Sequence, residues 1–400
     1  MNLALSEEQT MIRDAAAEVL AERSPSTAVR HAIEHTAGRD DALWRTLGGE
    51  LGWCGLSVPE AVGGAGLGAL ELVLLMEQMG RRLACVPYFS TVCLAGAALA
   101  QCESGQADAW LTRIANGEVS ATLALHSAPR FEADAVPVRA VQTANGYALS
   151  GTLDQVFDGA TADLLIVPAR IDNEAEAQAV ALFEIDVTST GLIRTPLVTL
   201  DATRPLARIE LRAVEVSRSA VLATGRKAEP SLSRTAWFAA LALAAEQLGG
   251  AQQCLDLTLA YTAERVQFGR AIASFQAVKH RCAQMMVQLE ATRSAVLGAA
   301  RAWDDAGCTT GAVPPNVLAD IATAKATAND TFRFCAQEAI QLHGGVGFTW
   351  EYDPQLYFKR AQASSAQFGT TSQLLSILAE QMIDRTAPDA DASMLEGAAQ

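Results

Sequence analysis

The sequence predicts a mainly helical chain with a compact β-domain in its middle. Three observations predict it: apolar residues keep a three-to-four spacing at both ends, the period shifts towards two over residues 119–225, and turn signals cluster there. At 400 residues, half of them hydrophobic, the chain is long enough for two or three domains around a sizeable core.

Residues 1–118 read as an N-terminal helical domain. Ser6 can cap a helix over residues 7–22, because its hydroxyl can accept an otherwise orphaned backbone N–H. The run Gly63-Gly64-Ala65-Gly66-Leu67-Gly68 is a loop, and Ala69–Arg82 reads as a helix after it. In the middle domain, Asn145-Gly146 lies between β-compatible runs, which is a hairpin signal. Residues 163–168, 179–185 and 207–216 read as further strands.

Residues 226–384 return to the helical period. Val278, Cys282, Met285, Leu289, Val296 and Trp303 form one stripe; Leu318, Ile321, Ala328, Phe332, Cys335, Ala339 and Leu342 form another. Two stripes joined by a loop over residues 304–316 suit an antiparallel helical bundle. The apolar stretch 235–251 is short for a membrane span and holds Glu246 and Gln247, so it reads as a buried core helix. The polar, small residues 385–400 read as a disordered tail.

The formal net charge of −15, without basic clusters, excludes nucleic-acid and anionic-membrane binding as main functions. Residues 1–10 lack a basic and an apolar signal-peptide region, which points to the cytoplasm. The eight cysteines are scattered without a CxxC pair, so they read as buried thiols and give neither a disulfide framework nor a metal site.

Two segments carry function. The first is Arg265-Val266-Gln267-Phe268-Gly269-Arg270, followed by Ser274-Phe275-Gln276. The second is Gln341-Leu342-His343-Gly344-Gly345-Val346-Gly347-Phe348. An arginine can offer a dinucleotide diphosphate bidentate charge-assisted hydrogen bonds, and paired glycines let backbone N–H groups approach it closely. These segments, with residues 52–68 and the overall layout, resemble the acyl-CoA dehydrogenase family. That family carries an R-x-x-F-G turn ending in F-Q and, about seventy-five residues on, a Q-x-x-G-G-x-G segment.

The resemblance implies an N-terminal helical domain, a middle β-barrel or sandwich domain, a C-terminal four-helix bundle, and a homo- or heterotetramer built on that bundle. It implies FAD, held across a subunit interface by Arg265, Phe268, Gln276, Gln341, Gly344, Gly345 and Thr370. It also implies α,β-dehydrogenation of an acyl-CoA thioester, with electrons passed on to an electron-transfer flavoprotein. In that reaction a carboxylate removes the α-proton while hydride leaves for the flavin.

The chain departs from the family pattern at the base. The family's Y-E-G-T-S segment matches residues 366–373, and Phe368 or Gly369 falls where the glutamate belongs. The alternative base position, on the helix before R-x-x-F-G, holds Ala239, and Ala240 replaces the arginine that often follows. Those small residues suggest a roomy acyl pocket. Glu246 shares a face with Ala239, about 10 Å along the helix axis. It is the candidate base of this chain or a structural carboxylate, since an acid in an apolar helix needs a partner.

The family's T-E-P-G-x-G-S-D stretch is replaced by residues 125–130, where His126 offers a new polar contact, and its flavin-covering W-I-T/S strand by Gln155-Val156-Phe157. Together with residues 158–163 and 356–361, these changes resemble the subunits of heterotetrameric steroid or bile-acid side-chain acyl-CoA dehydrogenases. The readings left open are a self-sufficient dehydrogenase, a non-catalytic subunit completing a partner's FAD site, and a flavoprotein of this fold whose chemistry on a CoA thioester needs no base.

Overall fold

The computed structural model describes residues 4–125, 127–128, 130–172, 179–225, 227–308 and 312–386. His126 and residues 387–400, most of the expected tail, lie outside them. The architecture is helical at both ends with a β-sheet domain between.

The N-terminal part holds α1 (Glu7–Arg23), α2 (Ser26–His35), α3 (Asp41–Arg45) and α4 (Ala69–Arg82). A wide-turned segment, Phe89–Gly96, then runs into α5 (Ala97–Leu99), and α6 (Gly105–Ala115) follows. At the start of α1 the Gln9 N–H donates to Ser6 Oγ at 3.1 Å and the Ser6 N–H donates to Gln9 Oε1 at 3.0 Å. This reciprocal cap satisfies two orphan donors. Gly68 has no side chain to cap α4; Glu71 Oε2 accepts the Gly68 N–H at 3.0 Å, and the Ala69 and Leu70 N–H groups donate to the carboxylate of Asp304 at 2.7 and 3.0 Å.

The middle part is one eight-stranded sheet: β1 (Ala121–Leu123), β2 (Arg139–Gln142), β3 (Gly146–Phe157), β4 (Leu164–Asp172), β5 (Val180–Ile185), β6 (Leu192–Pro196), β7 (Leu206–Ser217) and β8 (Val221–Thr224). The order is β6-β7-β3-β2-β4-β5-β8, with β1 parallel to β4. The Asn145-Gly146 hairpin joins β2 and β3. Along β3, Leu149 and Leu153 face the sheet's own core. Between Leu153 and Val156 the ladder against β7 slips, and Gln155 sits at φ 59°. A bulge re-aims the residue after it; Phe157 consequently turns into the larger core shared with the helices.

The C-terminal part comprises α7 (Ala228–Glu264), α8 (Gln276–Asp305), α9 (Pro315–His343), α10 (Pro354–Ser364) and α11 (Thr371–Thr386). A two-stranded turn, β9 (Val266–Gln267) and β10 (Arg270–Ala271), links α7 to α8. Every residue from Arg234 to Ala251 is buried, which is why this stretch of α7 is apolar all round. No described helix is long and apolar enough to cross a membrane.

Helix α4 docks on α7 through glycines. A Cβ on Gly80 would lie 1.9 Å from the Glu246 carbonyl oxygen, and one on Gly249 would lie 1.8 Å from that of Glu77. Backbone cannot move aside as a side-chain tip can, so any Cβ must push the two helices apart. Gly249→Ala should therefore cost about 1–3 kcal/mol or more and lower the thermal midpoint. Gly105→Ala, with nothing within 4 Å of its Cβ, should leave it unchanged. Equal midpoints for both variants in a calorimetric scan would contradict this docking.

Candidate active site

The two sequence motifs meet at one end of the bundle. Arg265 caps the C-terminus of α7, and Phe268 and Gly269 turn the β9–β10 hairpin at φ 54° and 77°. Gln276 opens α8, Gln341 lies in the last turn of α9, and Gly344 follows it at φ 66° and ψ −146°, a conformation that favours glycine. One turn before Arg265, the Tyr261 ring stacks on His343 with centroids 4.3 Å apart, tying the two helix ends together. Arg265, Gln276, Gln341, Gly344 and Gly345 are exposed, and Phe268 is 91% exposed. Neither glycine's Cβ position meets anything within 4 Å.

Thr370 stands apart from that group. It precedes α11, where its hydroxyl donates to Gln373 Oε1 at 3.0 Å. Beside it, Thr371 Oγ1 donates to Asp330 at 2.9 Å. Asp330 precedes Gly344 by fourteen residues on α9, so the two places are about 20 Å apart along the helix axis. The chain therefore presents its diphosphate-type residues at one end of α9 and its Thr370 segment well down the same helix.

At that second place the turn that carries Phe368 and Gly369 holds a buried ring. Phe368, fully buried at φ 52°, stacks on Phe157 with centroids 6.2 Å apart and planes 15° apart. Phe89 packs edge-on against both, at 5.1 and 5.9 Å. The Arg204 guanidinium covers Phe89 at 5.0 Å and Phe157 at 5.9 Å. The Phe368 N–H donates to the Ser127 carbonyl at 3.2 Å, fixing this turn to the middle domain. A neighbouring cavity of about 460 Å³ between the middle domain and α11 is bordered by Leu125, Ala128, Leu153 and Gln373. An Arg130–Glu380 ion pair at 2.9 Å spans it. None of Phe157, Phe368 and Glu246 borders it.

Glu246 is an ion-pair partner on both carboxylate oxygens. Arg360 Nη1 donates to Oε1 at 2.5 Å, and Arg204 Nη2 donates to Oε2. Arg360 also meets Asp201 at 2.5 Å and donates to Thr203 Oγ1. Burial alone would raise the Glu246 pKa, but the two guanidiniums outweigh it and hold the carboxyl below the usual range. A carboxylate so held is a weak proton acceptor. Asp158, buried and receiving the Ser90 hydroxyl at 2.6 Å, is instead pushed up by burial. Ala239 and Ala240 are fully buried and border neither the cavity beside α11 nor the one lined by Phe238 and Trp303.

Sequence reasoning missed Phe89, Arg204 and Arg360; the only signal was the need of Glu246 for a partner. It also missed Lys325, which is fully buried. Lys325 Nζ donates to Asn329 Oδ1 at 2.5 Å and to the Ser364 carbonyl at 3.3 Å. Asn329 Nδ2 in turn donates to the Gly369 carbonyl at 3.1 Å, and Gln247 Nε2 donates to Asn329 and Ser364. This network anchors the turn that carries Phe368. Burial pulls the Lys325 pKa down to about 7, against a partial upward pull from Glu246.

Between about pH 7 and the ordinary lysine range the unfolded chain therefore binds one proton more than the folded one, so stability rises with pH. The rise approaches about 1.4 kcal/mol per pH unit at most. Between about pH 7 and about pH 8.5 the urea midpoint of the wild type should gain on that of Lys325→Met as pH rises, the ionisation of unfolded thiols pulling both chains down alike. Identical slopes would contradict a neutral buried lysine.

Comparison with known proteins gives the same frame. Residues 6–118 match the acyl-CoA dehydrogenase N-terminal domain and residues 233–383 the acyl-CoA dehydrogenase C-terminal domain. The chain is 32% identical to acyl-CoA dehydrogenase IpdE2 of Mycobacterium tuberculosis, over 92% of this chain and 95% of that one. It is 32% identical to acyl-CoA dehydrogenase FadE27 of the same organism, over 84% and 87%. Among solved structures, a chain of the ChsE4-ChsE5 complex from M. tuberculosis superposes with a TM-score of 0.84 at 27% identity, covering 97% of this chain and 100% of that one. A variant of the Tcur3481-Tcur3483 steroid ACAD superposes with a TM-score of 0.80 at 29% identity, covering 96% and 99%. The chain thus belongs to the acyl-CoA dehydrogenase family, oxidoreductases acting on CH–CH groups with FAD as cofactor.

Proposed function

We propose that this chain is the subunit of a two-chain acyl-CoA dehydrogenase that completes an FAD site without supplying the base. The observation that supports the reading is the buried Phe157–Phe368 stack; in this reading it lies where the family pattern has its base, at Phe368 or Gly369, and its flavin-covering strand. The residues fit one half of an FAD only. Arg265, Gln341, Gly344 and Gly345 are exposed and sterically open, as a diphosphate needs. The ring end of the same chain is packed with Phe89, Phe157 and Phe368, and of the carboxylates described beside it Glu246 is held by two arginines and Asp158 by the Ser90 hydroxyl.

In this reading the exposed end reaches into a base-bearing partner, whose cleft holds the flavin ring and the acyl-CoA. The heteromeric ChsE4-ChsE5 neighbour and the steroid ACAD neighbour support a two-chain assembly and a steroid-derived acyl group. Electrons then leave through an electron-transfer flavoprotein, as in the rest of the family. Glu246 serves as the clasp between domains.

The second reading, a self-sufficient dehydrogenase with Glu246 as base, is favoured only by the position of Glu246 on the face of Ala239. Its double ion pair weighs against it. The two separate in one experiment. The chain alone should not bleach bound flavin with any acyl-CoA under anaerobic conditions, and activity should appear on co-expression with a base-bearing paralogue. In that assembly Glu246→Gln should lower the thermal midpoint and spare kcat. If instead the chain alone turns over, and Glu246→Gln slows it by about 10²-fold or more as loss of a general base does, Glu246 is the base and the partner reading fails.

A further inference from the structure

Away from the aromatic cluster, a second cavity of about 140 Å³ lies where the N-terminal part meets the bundle. One wall is the small-residue face of Gly96, Ala97 and Ala100; the other is Phe238 and Trp303, whose rings are tilted 42° at 5.3 Å. A slot between a flat wall and two rings suits a ring better than a branched chain. Its size is close to that of a dry engineered cavity of about 150 Å³ that accepts benzene. The mouth is open, since Leu67 is 36% exposed and Ala100 is exposed.

The slot is not purely apolar. Gln101 Nε2 is used, donating to the Ala97 carbonyl at 2.7 Å and to Thr235 Oγ1 at 3.2 Å. Its Oε1 is buried without a hydrogen-bond partner. An orphaned buried acceptor costs about 1–3 kcal/mol unless a donor reaches it. Arg234, 7% exposed, borders the same space as a donor. Asp304 borders it too, with both oxygens already accepting the α4 N–H groups. A hydroxyl answers this set, because it donates to Gln101 Oε1 and can accept from Arg234. A carboxylate does not, because it has no proton for Gln101 and would face Asp304.

We propose that this cavity is a binding site for a small six-membered-ring alcohol, independent of the FAD site and of the subunit role argued above. The cavity borders Val92 and Gly96 of the segment that carries Phe89 into the aromatic cluster. Occupancy would thus brace that segment against α7.

Calorimetric titration of the full chain with cyclohexanol and phenol tests the site, with benzene and benzoate as comparisons. Saturable millimolar binding of the alcohols, stronger than of either comparison ligand, is expected. Gln101→Leu should weaken alcohol binding about tenfold, the worth of one hydrogen bond, and leave benzene binding as it was. Ala97→Leu should abolish binding of both by filling the slot. Absence of saturable alcohol binding would show a cavity that holds only water and would overturn the proposal. So would preference for benzoate, or unchanged alcohol affinity in Gln101→Leu.

Discussion

A carboxylate buried in the most apolar helix of the chain has to be neutralised, and the way Glu246 is neutralised organises everything around it. Breaking such a buried pair costs about 3–5 kcal/mol, because the remaining charge is left uncompensated. The two guanidiniums come from different parts of the chain: Arg204 from the loop between β6 and β7, and Arg360 from α10. Arg360 also binds Asp201 and Thr203 of that same loop. The clasp thus fixes the middle domain to α7 and α10 at one point. The same turn of α7 meets Gly80 of the N-terminal part, so all three parts converge there.

The clasp has a chemical consequence. With Glu246 held by two cations, and with Arg204 spread over Phe89 and Phe157, the interior beside α7 is an ion-pair and ring core. Dehydrogenation of a thioester needs a base near the α-carbon and a polar edge for the flavin. In the two-chain reading Phe368 and Phe157, stacked on each other with Phe89 edge-on to both, offer hydrophobic contact instead. The exposed Arg265 and Gly344 end keeps the opposite character, polar and open. In the two-chain reading one chain thus carries the outer half of a cofactor site in binding form and the inner half in core form.

How much of this was legible in the sequence depends on how local the signal is. Helices α1 and α4 and the β2–β3 hairpin follow from a cap, a glycine loop and an Asn-Gly pair, all within a few residues. Strands β1, β6 and β8 escaped because segments of three, five and four residues show no clear alternation. The direction of Phe157 could not be read, since a bulge two residues earlier reverses the face on which it falls. The need of Glu246 for a partner was readable, but its arginines lie 42 and 114 residues away, and no pattern joins them. Lys325 falls on the apolar stripe of α9 between Ile321 and Ala328, but a lone lysine there reads as one whose ammonium reaches solvent until the fold buries it.

In the two-chain reading the inner half of the cofactor site in this chain is closed by its own side chains. The flavin content of the purified assembly tests it most directly, read from visible absorbance against total protein after co-expression with a base-bearing paralogue. One FAD per pair of unlike chains is the result the account predicts. Two FAD per pair, one for each chain, would mean that Phe157 and Phe368 move aside for a flavin ring, and would contradict it.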